Sequence, residues 1–475
     1  MTSAARIGII GGGIAGSTIA LYLAQQGLTI ELFEQGSSLV NGPPVCHLHA
    51  GGNFYREISD QQCRELLLHS LHTMQLYPQA VNPRPTLIVH PCSDPGEPLQ
   101  LLPRLKMLRS YYQDLIAADP SLKLLGEPAQ YFQLFERAEL QQLAQQPLPQ
   151  QIQQPSDWLI PVAKELQFDQ LKFPLVLVQE YGLSLFRVAA TAQLTLERLS
   201  NVQLHLNTPV EQIQALAPGW QVRSGQQDFK LDYLINAAGF RSGQIDDLLL
   251  ERPARWVEFK AAYLAHWPEC QGLWPELIFH GPRGSHNGMA QLTPYGEGLF
   301  QLHGMTPDIT LFPKGLVANK PDSAQPQLPR ALLQKIEQGW PNELVQSRSH
   351  KAIAHLAQHL PNFAAAQPAG KPLFGAQQIP GPDPSLRAAQ VSFGQGFARA
   401  EIVKSSSAIY AAQSIFTQLC QLGLAQGPAK AAKLSSQLSL SEVEALALKL
   451  SQERQYPEQL ARKTGQSWAT ALDKD

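Results

Sequence analysis

Three glycines near the amino terminus carry the clearest chemistry in this chain. Gly11, Gly13 and Gly16 form a G-x-G-x-x-G pattern, with Ile10 before it and Gly12 inside it. The apolar run Arg6–Ile10 ahead of them reads as a buried strand, and Ser17–Gln26 behind them reads as a helix ended by Gly27. In that context Gly11 permits a tight turn, Gly13 lets the backbone approach a pyrophosphate, and Gly16 lets helix and strand pack closely. Ile14 and Ala15 lie where the helix opens, and its unpaired N–H groups and positive dipole end suit phosphate. A second strand, Leu28–Phe33, closes at Glu34, 18 residues after Gly16, with Gln35 next to it. A carboxylate there accepts hydrogen bonds from a ribose hydroxyl and repels a 2′-phosphate. Strand, glycines, helix, second strand and acid occur in the order that a dinucleotide-binding βαβ unit requires.

Composition bounds the rest. The chain has 475 residues, of which 44% are hydrophobic and 16% charged, which is a globular composition long enough for two or three structural units. Lys plus Arg total 37 against 39 Asp plus Glu, so the formal charge is -2. That balance supplies no electrostatic footprint for nucleic acid and no polybasic membrane patch. Five cysteines, at 46, 63, 92, 270 and 420, are far apart and show no CxxC pair. They read as free thiols in a reducing compartment. The apolar stretch Ile7–Leu23 is spent on the glycine pattern and lacks a cleavage site, so it does not read as a signal peptide. No segment reaches the roughly 18 apolar residues of a membrane span. The expectation is a soluble, cytoplasmic protein, with peripheral membrane contact left open. No His/Cys/Asp group has ligand spacing along the chain, so no metal site is expected.

Further along, Gln61–Met74 reads as a helix, Pro85–His90 as a strand, Gln100–Glu139 as largely helical and Gln141–Pro155 as an exposed loop. Leu175–Gln179 is a strand, and Ser184 is an N-cap for a helix over Leu185–Leu199. Strands are expected at Val202–Leu206, Trp220–Val222 and Leu231–Ile235. From Val257 to Phe312, alternating apolar runs broken by Gly and Pro read as an antiparallel sheet. Lys314–Arg330 is a Pro-rich loop, followed by helices at Ala331–Trp340 and Ser349–Leu356. Arg387–Ser392 is a strand, then a Gly turn, then a helix from Glu401 to Leu422, and a polar helical tail at the periphery.

The opening Ile9-Ile10-Gly11-Gly12-Gly13-Ile14-Ala15-Gly16 resembles that of FAD-dependent oxidoreductases of the D-amino-acid-oxidase (glycine-oxidase-like) superfamily. Three later landmarks resemble the family in its order, over about residues 5 to 422. His49-Ala50-Gly51-Gly52 is similar to the loop of flavin dehydrogenases for glycerol 3-phosphate, 2-hydroxyglutarate and dimethylglycine. The resemblance places that loop beside the flavin and leaves open a covalent link at His49. Thr208-Pro209-Val210 and Asn236-Ala237-Ala238-Gly239 resemble the middle landmarks. There Val210 would meet the adenine, and Ala238 and Gly239 would line the nucleotide. Gly394-Gln395-Gly396-Phe397-Ala398-Arg399 resembles the Gly-rich turn whose N–H groups face the flavin pyrimidine ring. The family's second Gly-containing stretch is replaced by Glu401-Ile402-Val403-Lys404.

The resemblance implies an α/β fold, a Rossmann-type FAD-binding domain interleaved with an antiparallel-sheet α+β substrate domain. The FAD domain would take residues 1–75, 175–250 and 370–425, the substrate domain 76–174 and 251–369, and a C-terminal helical tail 426–475. It implies a sheet over the flavin as the substrate roof. Its polar residues include Lys260, Tyr263, His280, Arg283, His286, Tyr295 and His303. An Arg such as Arg283 would hold a carboxylate in bidentate fashion, and a His or Tyr (His286, His303, Tyr295) would take a proton as hydride leaves. Arg56 and Arg399 are further anion-binding candidates. The expected activity is hydride removal from a small amine, amino acid or hydroxy acid, with oxygen or a quinone as electron acceptor. Two alternatives stand beside it. One is a flavin enzyme acting on a macromolecule such as tRNA, which the near-neutral charge opposes. The other is a non-enzymatic FAD-binding protein, which the altered last motif keeps open.

Overall fold

The computed structural model describes residues 5–44, 48, 58–427 and 438–465. Strand β1 (Arg6–Ile10) lies inside a six-stranded sheet whose order is 390–394, 397–401, 233–236, 6–10, 29–33, 202–205. It pairs in parallel with β2 (Thr29–Phe33) on one side and Tyr233–Asn236 on the other. Its residues Ile7 and Ile9 are fully buried, as a continuous apolar run in a parallel sheet requires. Helix α1 (Ile14–Gln25) crosses between β1 and β2, buried through ten consecutive residues. It packs between the sheet and the helix Ala408–Gln421, with Tyr22 set edge-on to Phe416.

A second, larger sheet runs through strands 316–318, 255–266, 299–304, 290–294, 276–279, 86–91, 171–178 and 132–135, with 373–380 also paired to the long strand Arg255–His266. Its faces differ, because strand side chains alternate. Ala261, Tyr263 and Ala265 turn outward into a core with Trp267, Phe300, Leu302 and Phe363. Ala262 and Leu264 turn inward and share one core with Ile7, Ile9 and α1. The inner face therefore confronts the nucleotide-binding half, and the two sheets are held together by that common core. No helix among the described residues is long and apolar enough to cross a membrane.

The expected elements at 6–10, 29–33, 61–74, 86–90, 185–198 and across 257–304 are all present within a few residues of their ends. Ser184 accepts from the Arg187 N–H as the N-cap. Three expectations are corrected. The stretch Gln100–Glu139 is helical only over Leu102–Ala118; Pro120, Gly126 and Pro128 break it, and Phe132–Phe135 pairs with Leu171–Val178 as a strand. The helix read from Glu401 begins at Ala408, because Phe397–Glu401 is a fully buried strand parallel to Tyr233–Asn236. The tail is not peripheral. Its helix Leu440–Glu453 buries Val443, Ala447 and Leu450 against the helix Leu185–Arg198. Arg187, itself buried, donates to the carbonyl of Ala461, and Ser184 donates to that of Leu460.

His69, on the helix Asp60–Leu76, stacks on Tyr410 and lies 3.3 Å from the Ser407 hydroxyl. Burial pulls its pKa down to about 4, with His72 adding to the effect. The unfolded chain thus binds a proton at His69 between about pH 6.5 and 4 that the folded chain refuses. Stability is complete above pH 6.5 and falls as the pH drops through that window. The His69 share is on the order of 3 kcal/mol. Thermal melts from pH 7 to 4 should show this loss, and His69→Gln should flatten it; an unchanged slope in the variant would contradict the assignment.

Candidate active site

The parallel strands bring their carboxyl ends together at one edge of the six-stranded sheet, the edge at which doubly wound folds bind ligands. Gly11 leaves β1 with a φ of 103°, a conformation open to glycine, and a Cβ there would sit 2.5 Å from the Ala237 carbonyl oxygen. A Cβ on Gly16 would lie 1.8 Å from the Gly11 oxygen. These two contacts press the start of α1 against the turn. Gly13 differs from both. A Cβ on it meets nothing within 4 Å among the described residues. It is the N-cap of α1, and no described side chain caps the helix and no acid stands in its first turn. The first N–H groups of α1 thus face an open space with their positive dipole end.

Glu34 closes that space from the side. One carboxylate oxygen accepts from the Gly12 N–H and the other from the Gly36 N–H, both at 2.7 Å. Each oxygen keeps a second lone pair for a ribose hydroxyl. Gln35 is exposed at the same strand end. The Thr208 N–H donates to the Glu34 carbonyl, which sets Val210 beside this end of β2. Val210 and Ala238 both pack against the core cluster that contains Ile10 and Phe33. Ala238 lies against Gly11, and Gly239, with a φ of 60°, again has nothing within 4 Å of an added Cβ among the described residues. Gly11, Gly13, Ile14, Ala15, Gly16, Glu34, Gln35, Val210, Ala238 and Gly239 are therefore one constellation. The segment Ser38–Val40 rims it. Arg454 from the tail donates to the Val40 and Leu39 carbonyls and to the Ser38 hydroxyl. No local motif marked Arg454, which lies in a polar stretch far from the glycines in sequence.

The last glycine landmark falls elsewhere. Gln395 and Gly396 are the turn of an antiparallel hairpin that joins Gln390–Gly394 to Phe397–Glu401. Gly396 takes a φ of 72° and its carbonyl accepts from the Trp220 indole. Leu234 pairs with Phe397, so Gly396 sits level with the amino-terminal end of the neighbouring strand. That is about 13 Å along the strands from Gly11. Gly396, Phe397 and Ala398 do not reach the nucleotide edge. Arg399 is no anion site either: it gives both Asp246 carboxylate oxygens a 2.8 Å bond, and Arg255 binds the same buried carboxylate. At the nucleotide edge stand instead Ile402–Ser407 and the start of the helix Ala408–Gln421. His49, Ala50, Gly51 and Arg56 lie outside the described residues.

Over this edge the inner face of the large sheet turns from apolar to polar. Arg84 pairs with Glu276 at 2.5 Å, both buried, and Glu276 accepts from Gln291. Gln291 stands opposite His303 on the next strand. His303 Nδ1 is 3.4 Å from the Gln301 amide, and Tyr295 donates to Gln301 Oε1 at 3.2 Å. A second polar group continues on the same face. Glu258 binds Lys260 at 2.8 Å and also Arg283, which is partly exposed on its loop. Lys260 donates to Gln377, whose amide donates to the Val403 carbonyl and so ties the roof to the nucleotide edge. Burial pulls the Lys260 pKa down, an effect that Glu258 only partly offsets and Arg283 reinforces. Burial raises the Glu258 carboxyl, but Lys260 and Arg283 outweigh it and leave it lowered.

Of the proposed catalytic side chains, Tyr295 and His303 share the inner face, and Arg283 reaches its edge. His286 is exposed on the same loop. Tyr263 faces the outer core and donates to the Ile309 carbonyl. Glu258, Gln301 and Gln377 were not singled out in the sequence; the signal for Glu258 is its place two residues before Lys260 on a strand.

A family model for FAD-dependent oxidoreductases (DAO) matches residues 6–381. The chain belongs to the FAD-dependent oxidoreductase family. No curated protein sequence matches it. Among solved structures, glycine oxidase from Geobacillus kaustophilus matches with a TM-score of 0.55 at 12% identity, over 92% of this chain and 100% of that one. L-proline dehydrogenase from P. horikoshii matches with a TM-score of 0.56 at 14% identity, over 91% and 98%. L-alpha-glycerophosphate oxidase from Mycoplasma pneumoniae, with FAD bound, gives 0.53 at 14% identity, over 90% and 98%. These likenesses establish the shared fold. FAD is the cofactor, and the residues at the nucleotide edge fit it: among the described residues there is open space at Gly13 and Gly239 and no side chain caps the N–H groups offered to the pyrophosphate, while the Glu34 carboxylate suits the ribose.

The glycine contacts make opposite predictions for two substitutions. Gly13→Val should leave the apoprotein's melting temperature within a few degrees of wild type but lower FAD affinity at least tenfold. Gly16→Ala should destabilise the fold, because its Cβ meets backbone. Flavin content and melting curves check both; a Gly13→Val protein that retains FAD as wild type does would contradict the placement of the pyrophosphate.

Proposed function

We propose that this protein uses FAD to remove a hydride from a small amine, amino acid or hydroxy acid held between the nucleotide edge and the polar inner face of the large sheet. The observation that carries this is the polar stripe from Arg84 to Tyr295 on a face whose neighbours are Ala262, Leu264 and Leu299. Burying polar groups is costly unless they are paired, and an apolar stripe would stabilise the same contact more simply. Groups of this kind on a cofactor-facing surface suit a polar substrate.

FAD, when bound, supplies the hydride acceptor. The chain supplies position, charge and exclusion of water. Lys260 and Arg283 offer a cationic edge for a substrate carboxylate. His303, oriented through Gln301, accepts the proton from the substrate nitrogen or oxygen as the C–H bond breaks, and Tyr295 holds Gln301 in place. Oxygen or a quinone takes the electrons onward, and the protein works in the cytoplasm with no nucleic acid partner. The domain division set out from the sequence belongs to the same proposal, with the strands Leu171–Val178 and Leu373–Pro380 assigned to the substrate domain because they pair in the large sheet.

Anaerobic mixing of the purified holoprotein with a panel of amines, amino acids and hydroxy acids tests this. At least one acidic member should bleach the oxidised flavin band, and His303→Gln should slow that bleaching about 100-fold with FAD content unchanged. If no member of the panel bleaches the flavin, or the variant reacts as fast as wild type, the proposed chemistry at this face is wrong.

A further inference from the structure

The linear spacing of histidines and acids shows no metal constellation, yet the register of two strands assembles one. Thr86–Pro91 and Glu276–Phe279 are parallel neighbours, with Val89 paired to Phe279 and the His280 N–H donating to the Val89 carbonyl. His90 and His280 are the next residues on each strand, so they leave adjacent backbones at the same level and on the same face. Their rings lie 4.4 Å apart between centroids. The turn after His90 then returns Asp94, closed by its N–H on the Pro91 carbonyl. His90 Nε2 and Asp94 Oδ2 are 4.0 Å apart, and one ligand atom from each of the three residues lies within 4.8 Å of the others. All three are buried, at 1%, 2% and 6% exposure for His90, Asp94 and His280.

We propose that His90, Asp94 and His280 bind a divalent transition-metal ion of the Zn2+ class. Two imidazoles and one carboxylate are the three-ligand set that leaves one position for water on a tetrahedral ion. Ligands about 2.0–2.1 Å from such an ion stand about 3.4 Å apart, so side-chain rotations that close at most about 1.4 Å complete the sphere. His90 Nε2 and Asp94 Oδ2, at 4.0 Å, stand beyond hydrogen-bond reach of each other, close to the separation of two ligands on one ion. A small cavity of about 10 Å³ reaches His280 and is lined by Pro91, Ser93 and Asn287. That is room for one water beside the site. Lys172 lies close, but its ammonium is spent on the Asp94 and Gly96 carbonyls and on the Glu97 carboxylate. Its bonds hold the turn that carries Asp94.

The site sits where the sheet gives way to two loops, 91–97 and 281–288. The second of these carries Arg283. A bound ion would fasten both loops to the strand ends and so hold the cationic edge of the substrate face. This inference stands on the strand register and does not depend on the cofactor.

The test is metal analysis of the FAD-loaded protein after dialysis against EDTA, addition of Zn2+, and desalting. One equivalent of Zn2+ should be retained, the melting temperature should rise on adding Zn2+ and fall back with EDTA, and His280→Gln and Asp94→Asn should each weaken binding at least tenfold with FAD content unchanged. Zinc X-ray absorption on the wild-type protein gives a reading that no variant's folding can disturb: two imidazole nitrogens and carboxylate oxygen at about 2.0 Å. Retention below half an equivalent, sulfur ligation through Cys92, or equal retention by wild type and both variants would overturn the site.

Discussion

The contact between Gly16 and the carbonyl of Gly11 governs the nucleotide half of this protein. A single methyl group on Gly16 would fall 1.8 Å from that oxygen, and one on Gly11 would fall 2.5 Å from the Ala237 carbonyl. Helix α1 can therefore start only hard against the end of β1, and β1 only hard against the segment after Tyr233–Asn236. Three backbones converge with only the Ala237 methyl group beside them. That convergence leaves the space above Gly13 open and aims the N–H groups of α1 into it. Glu34 is fixed in turn, because its carboxylate is anchored to the N–H groups of Gly12 and Gly36.

The large sheet makes use of this arrangement through its alternation. Every second residue of Arg255–His266 faces the nucleotide half, and the composition of that face changes along the strand. Leu264 and Ala262 seal the two halves together, while Lys260 and Glu258 begin a charged edge. The neighbouring strands repeat the change, with Leu299 apolar and Gln301 and His303 polar. One sheet face thus serves as both glue and binding surface. The tail adds a third support, since Arg454 holds the carbonyls of Leu39 and Val40 at the rim of the nucleotide site.

Much of this was legible in the residues because short-range rules decided it. The βαβ unit, the Ser184 cap and the alternating strands from 257 to 304 each depend on patterns within a dozen residues. The misreadings share a cause. Gly394 and Gly396 look alike whether they precede a helix or turn a hairpin, and only the pairing of Phe397–Glu401 with Tyr233–Asn236 decides between the two. Arg399 looks like an anion-binding cation until Asp246, 153 residues earlier in the chain, occupies it. The same limit hid Gln377 and Arg454, and it hid the approach of His90 to His280, which a parallel register 190 residues apart creates. Long-range pairing carries no local signature.

The central claim is that the edge formed by Gly13, Glu34 and Gly239 holds the adenosine and pyrophosphate of FAD. Titration of flavin-free protein with FAD and, separately, with FMN tests it most directly, by quenching of flavin fluorescence. The account predicts one equivalent of FAD bound at micromolar concentration or below, with FMN binding at least 100-fold weaker because it lacks the adenosine half. Failure to take up FAD, or equal affinity for both flavins, would contradict it.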